Sequence, residues 1–488
     1  MSSSLHSGNA IPGPKLAAVS AIPYWYYDLS GKVITWTTAL HEAYGDVVRL
    51  GPDRLSYINQ DAWKAIYGHK TAGHKTNPKD SGLYRKEKSG VYTLIAEPND
   101  KRHSEVRQVS KEVFLSIYAA NMQICSKIFS HAFSEKALKL QEGLITRNVD
   151  KLINNIQNTV GQNPETQLDI VKLYNCTTFD IMGELTFGEP LGLLDKSEYT
   201  PWVATIFQSI KALEFGRLSL EYPLLRVLFQ ALVPASITKG EEEHYKYSND
   251  RVDHRLAKGL SHDQADIWNL VIGRNKGVLN VDEMRANGMI FMVGGTETTA
   301  TVLSGLTYLL LTNPDKFQKV IEEVRALRED QLNLETLPHM EYLSACFEEA
   351  LRCYPPVPTG TWREAPEGGN NICGDWVPSK THMVLSQYAA FQSPSNFKDP
   401  SHFIPERWLP GTGYDNDKKE ALQPFSYGPR NCIGKSLAYH EMRLIFSKVV
   451  WHFDLSLCPE SRNWTDQKAW SVWDKRPLWI QAKRASGA

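Results

Sequence analysis

A chain of 488 residues with 54 Lys+Arg against 55 Asp+Glu carries a formal charge of -1, which leaves no basic excess for holding nucleic acid. Its composition, 42% hydrophobic and 22% charged, excludes disorder over most of the length, and seven scattered Cys do not make a disulfide framework. At roughly 150 residues per domain the length suggests three domains, although one continuous core can also span it.

Met1 to Ala10 (MSSSLHSGNA) has neither a basic nor an apolar region and does not read as a signal peptide. A stiff Ile11-Pro12-Gly13-Pro14-Lys15 hinge follows. Residues 45–60 alternate apolar and polar around Gly51-Pro52, which predicts a hairpin. From about 100 to 350, apolar residues recur at i, i+3, i+4 with few Pro, the pattern of successive helices. Tyr222 to Leu232 reads as a core helix, the alternative being peripheral contact at a membrane interface. Met289 to Leu311 is the most apolar stretch, but Glu297 and several Thr at its centre make it a buried core helix rather than a membrane span. Gly and Pro become dense again from Pro355 to Gly434, with short strand runs such as Met383-Val384-Leu385. The fold class expected is mainly α with small β-sheets, in a single domain without an internal linker.

Against this background, local motifs differ in weight. His103-Ser-Glu-Val-Arg107 is an i, i+4 pair of basic groups, weak by itself. Gly294-Gly295-Thr296-Glu297-Thr298-Thr299 places glycines, threonines and a carboxylate inside the apolar helix. Each has a local cost, about 1 kcal/mol for a helical Gly against Ala, and such cost often marks function; a packing kink is the plainer alternative. Glu349-Ala-Leu-Arg352 sets a carboxylate and a guanidinium on one helix face, and Phe403-Ile-Pro405-Glu406-Arg407-Trp408 supplies a second Arg. The sharpest signal is Phe425-Ser-Tyr-Gly428-Pro-Arg430-Asn-Cys432-Ile-Gly434, standing before a helical pattern from Leu437 to Val450. Helix-start amides favour a thiolate at Cys432, Gly428 and Gly434 let backbone approach a flat ligand, Arg430 can turn to an anion, and Phe425 can shield the sulfur. A buried structural Cys in a Gly-Pro turn is the bland alternative.

This ten-residue loop resembles the haem-binding loop of the cytochrome P-450 family, and the other motifs agree in order and separation. Stretches such as Ser130 to Leu138 and Phe403 to Pro410 are similar to ascomycete secondary-metabolism members such as the trichothecene C-15 hydroxylases. The resemblance implies the P-450 fold and haem b, with Cys432 as axial ligand of the iron. It implies that His103, Arg107, Arg363 and Arg430 reach the propionates, and that Glu297 and Thr298 deliver protons. Glu349, Arg352 and Arg407 then form a structural ion network, and Pro358-Thr-Gly-Thr361 runs along the substrate cavity. The implied activity is monooxygenation of a small organic substrate with O2, in fungal secondary-metabolite biosynthesis. Electrons would come from a separate NADPH-dependent reductase, and the enzyme would be a monomer with no nucleic-acid partner. A haem-thiolate isomerase or dehydratase is the alternative enzyme, against which the Glu297-Thr298 pair speaks; a haem-binding protein without turnover is the other.

Two departures from the family pattern stand out. Residues 1–11 form a short polar N-terminus in place of a membrane anchor, ahead of a catalytic domain at 12–488. Attachment to the cytosolic face of the endoplasmic reticulum is thus implied by resemblance alone, and a soluble protein is the other expectation. The second departure is Val109 to Lys127, which interrupts an expected helix directly after Gln108. Val109-Ser-Lys can be encoded by a GT-AAGT start and Lys127 can end in AG, the borders of a retained intron; a genuine insertion is the competing reading.

Overall fold

The computed structural model describes residues 11–71, 75–80, 82–107, 128–163, 165–222, 235–260, 265–272 and 277–485. The suspected intron at 109–127 and residues 223–232 of the apolar stretch lie outside the described residues. Helices α1 (Ile22–Leu29) and α2 (Val33–Tyr44) lead into β1 (Val47–Gly51) and β2 (Arg54–Tyr57). These strands are the hairpin expected at 45–60, with Val47 opposite Tyr57 and Gly51 opposite Arg54. Then come α3 (Asp61–Tyr67), α4 (Asp100–Arg107), α5 (Ile128–Ala132), α6 (Glu135–Gln162), β3 (Leu168–Asp169) and α7 (Ile170–Phe187). The helical run continues through α8 (Leu193–Lys196), α9 (Pro201–Glu221), α10 (Ala235–Ala257), α11 (Ile267–Ile272), α12 (Val281–Leu311), α13 (Pro314–Arg325) and α14 (Glu341–Cys353).

The Gly/Pro-rich part carries β4 (Arg363–Glu364), β5 (Asn370–Ile372), β6 (Asp375–Val377), β7 (His382–Leu385) and α15 (Gln387–Phe391). The chain ends with α16 (Lys435–His452), β8 (Phe453–Leu457), β9 (Ala469–Trp470), β10 (Val472–Trp473) and β11 (Trp479–Arg484). The mainly helical, single-domain reading is therefore what the molecule has.

Local chemistry fixes where the central helix begins. Asn280 accepts from the Glu283 amide while the Glu283 side chain accepts from the Asn280 amide, a closed capping box at the start of α12. Being apolar on nearly all sides, α12 is sequestered in the middle of the molecule, packed on α7, α10, α14 and α16. One hydrophobic core runs from Ala21 to Ala482, with a smaller cluster between α3 and β7. The larger sheet has the order β1-β2-β7-β4, and β2 and β7 run parallel, so strands far apart in sequence meet. The antiparallel pairing of β4 with β7 sets Arg363 opposite Met383, and an isolated bridge adds Lys79 beside Arg363. Among the described residues no helix is long and apolar enough to cross a membrane.

Candidate active site around Cys432

Cys432 stands two residues before Gly434, which caps the N-terminus of α16. Its amide donates to the Phe425 carbonyl at 2.8 Å, closing the loop on itself. Cys432 presents accessible surface, yet the protein surrounds it closely enough that burial pushes its thiol up from the ordinary range. The Gly434 amide, Arg107 and Lys435 act in the opposite sense and favour the thiolate.

Gly428 has a packing reason of its own. Its φ is +75°, and a Cβ there would lie 2.1 Å from the Tyr67 carbonyl oxygen, so the glycine seats the loop against the end of α3. Phe425 packs on Tyr439, with ring centroids 5.2 Å apart. Arg107 donates to both oxygens of Asn431, the residue before Cys432. Arg430 bonds Asp100 at 2.7 Å and the carbonyls of Glu97 and Pro98. Both arginines thus fasten the loop to α4.

Arg363 differs from them. It is 3% exposed, and its Nε and Nη1 have no partner among the described residues. Around it lie buried His103, Arg107 and Lys79, and Arg430 is within electrostatic reach. Burial and these four neighbouring cations push the His103 imidazole down to about 3. Burial followed by Arg363, Arg430 and Arg107 holds the Lys79 ammonium well below the usual lysine range. Asp100 is already taken by Arg430, so among the described residues the cluster has more cations than anions. A thiol at a helix start and a buried, anion-poor group of cations with unpartnered N–H groups fit a metal-bearing cofactor with carboxylate arms. Lys79 was not anticipated. Asn77-Pro78-Lys79-Asp80 reads as a polar loop, and only the bridge to Arg363 identifies it.

The glycine–threonine motif divides between two faces of an unbroken α12. A Cβ at Gly295 would lie 2.6 Å from Met182 Sδ, so this glycine is a close-packing position against α7. Gly294 has nothing within 4 Å, and the Thr298 hydroxyl donates back to its carbonyl at 2.7 Å, on the same open face. Glu297 faces elsewhere. It is 4% exposed and paired with Lys475, which also donates to Thr301 Oγ1 at 2.6 Å. Burial raises the Glu297 carboxyl in spite of Lys475, and its Oε2 has no partner among the described residues. The structure thus brings His103, Arg107, Arg363, Arg430 and Cys432 into one neighbourhood and ties Glu297 into another. Lys475 was missed as well: Asp474-Lys475-Arg476-Pro477 has the look of a charged surface turn.

Replacing Lys475 by Met is expected to cost about 3–5 kcal/mol, because it strands a buried carboxylate. Urea unfolding measures it, and the Glu297→Gln/Lys475→Met pair should recover most of the loss. A single-variant cost under about 1 kcal/mol would mean that the pair is solvated.

Comparison with known proteins adds an independent finding. Residues 12–479 match the family described as Cytochrome P450. The chain is 45% identical over 484 residues to the cytochrome P450 monooxygenase FUM2 of Gibberella moniliformis (strain M3125 / FGSC 7600), covering 98% of each chain. It is 44% identical to the cytochrome P450 monooxygenase efuB of Hormonema carpetanum, covering 98% of this chain and 91% of that one. The averantin hydroxylase of Dothistroma septosporum (strain NZE10 / CBS 128990) is 37% identical, with 98% and 87% covered.

Proposed function

This chain belongs to the cytochrome P450 family, and from that premise we propose that it is a haem-dependent monooxygenase in which the Cys432 sulfur would hold the iron of haem b. It is an oxidoreductase that incorporates molecular oxygen, and its place is in fungal secondary-metabolite biosynthesis. When bound, haem supplies the oxidation itself, with one oxygen atom entering the substrate and the other leaving as water. Two electrons come from a separate NADPH-dependent reductase. Family resemblance supports attachment to the endoplasmic reticulum.

The chain's own residues supply the rest. The Gly434 amide and Arg107 favour the anionic form of the Cys432 sulfur. Arg363, through its unpartnered Nε and Nη1, holds the propionates together with Lys79 and His103, while Arg107 and Arg430 keep the loop on α4. The Thr298 hydroxyl, lying on the open face of α12, passes protons, and Glu297 replenishes them once its carboxyl turns from Lys475. The observation that carries the reading is the placement of Cys432 at the start of α16 beside that anion-poor cluster. The test is the reduced, carbon-monoxide-bound absorption spectrum followed by NADPH consumption with added reductase. A thiolate Soret band and substrate-stimulated consumption are expected. Haem uptake without consumption would favour an isomerase, and no uptake an inactive protein.

We also read 109–127 as a retained intron. The helices that flank it, α4 and α5, pack on each other, which supports a short direct connection between them. Most transcripts are expected to lack the segment; reads carrying it in most messages overturn this.

A further inference from the structure

A cavity of about 40 Å³ opens between α1, α2, α9 and the Pro358–Gly360 segment, a volume for a small polar head group and no more. Two carboxyl groups line it, Asp28 of α1 and Glu214 of α9, at 2% and 1% exposure. Both Glu214 oxygens are engaged, by Arg217 Nη1 and by the Ser471 hydroxyl, each at 2.5 Å. Asp28 Oδ2 has no donor among the described residues. The next cation, Arg54 of β2, is taken by Glu221 and Asp53. With two carboxyls against one guanidinium, the cavity has one negative charge in excess, which a proton shared between the hydrogen-bonded Asp28 and Glu214 carboxyls neutralises until a cation takes its place.

From this geometry we propose that the cavity is a subsite for a protonated amine of the substrate, with Asp28 and Glu214 as its acceptors. The proposal deepens the monooxygenase reading and rests on it. Pro358, Thr359 and Gly360 belong to the segment expected along the substrate cavity, and Ser471, at the turn between β9 and β10, closes the subsite from the other side. An ammonium replaces the proton that otherwise neutralises Asp28. Burial first, then Glu214, raises the Asp28 carboxyl well above the usual range, while Arg217 and Arg54 oppose this and Tyr24 and Ser471 add no permanent charge. Binding therefore releases a proton, and affinity rises with pH up to the raised Asp28 value.

The experiment uses the haem-loaded protein with dodecylamine, 1-dodecanol and dodecanoate as probes, followed by calorimetry. Dodecylamine is expected to bind about thirtyfold more tightly than the other two, and Asp28→Asn to remove that preference. Heats in buffers of different ionisation enthalpy, at a pH below the raised Asp28 value, are expected to show proton release by the unmodified protein, so the test does not depend on the variant folding. The Soret band should not take the nitrogen-ligated position, since Cys432 is not among the residues lining the subsite. Equal binding of alcohol and amine, no proton release, or a nitrogen-ligated Soret shift unaffected by Asp28→Asn overturns the subsite. Loss of the thiolate Soret band altogether would instead count against the monooxygenase reading, and calorimetry would still judge the subsite.

Discussion

Cys432→Ser is expected to abolish the thiolate Soret band of the reduced, carbon-monoxide-bound protein and to reduce turnover by far more than about a hundredfold. That figure is the upper end for losing an outer partner of a metal ligand, and here the ligand itself is lost. The loop should keep its shape, because its closure rests on the Cys432 backbone amide, on Gly428 against Tyr67, and on the Arg107 and Arg430 contacts. None of these uses the sulfur. Circular dichroism and the urea midpoint should therefore move little while the spectrum changes. A variant that keeps the thiolate band would remove Cys432 from its assigned place.

Glu349→Ala is expected to cost about 5 kcal/mol, a large part of the roughly 5–15 kcal/mol that separates a folded protein from its unfolded chain. Glu349 accepts from Arg352 at 2.9 and 2.8 Å, from Arg407 at 3.1 Å, from the Ile404 amide at 2.8 Å and from Trp408 Nε1 at 3.0 Å. All three charged side chains have no accessible surface. Removing the carboxylate leaves Arg352 with carbonyl partners and a thiol contact but no carboxylate, while Arg407 keeps Asp417. The measurement is urea unfolding, with soluble yield as a second reading. Glu349→Gln, which keeps the shape and one acceptor oxygen, should lose less. A cost near 1 kcal/mol for Glu349→Ala would place the network at the surface, where ion pairs contribute little.

Much of the fold was written in short-range pattern. The hairpin at 45–60, the helix through Glu297 and the helix after Cys432 follow from periodicities of two and of three to four residues, together with Gly and Pro at their ends. The Glu349–Arg352 pair is a helical i, i+3 contact, readable without coordinates. Lys79, Lys475 and Asp28 gave no such sign, because the groups they meet lie far along the chain, and the i, i+3 spacing of Glu214 and Arg217 does not tell that Asp28 and Ser471 join them.

What the sequence alone determined, then, is the helical body and the loop that presents Cys432 at a helix start, since local spacing and backbone freedom suffice for both. Resemblance assigned the charged residues their roles but not their geometry. Only the tertiary structure decided that Arg107 and Arg430 fasten the loop while Arg363 keeps unpartnered N–H groups. It also decided that Glu297 answers to Lys475 and that Asp28 meets Glu214. Those outcomes turn on burial and on which charges share a low-dielectric interior, quantities set by elements hundreds of residues apart coming together.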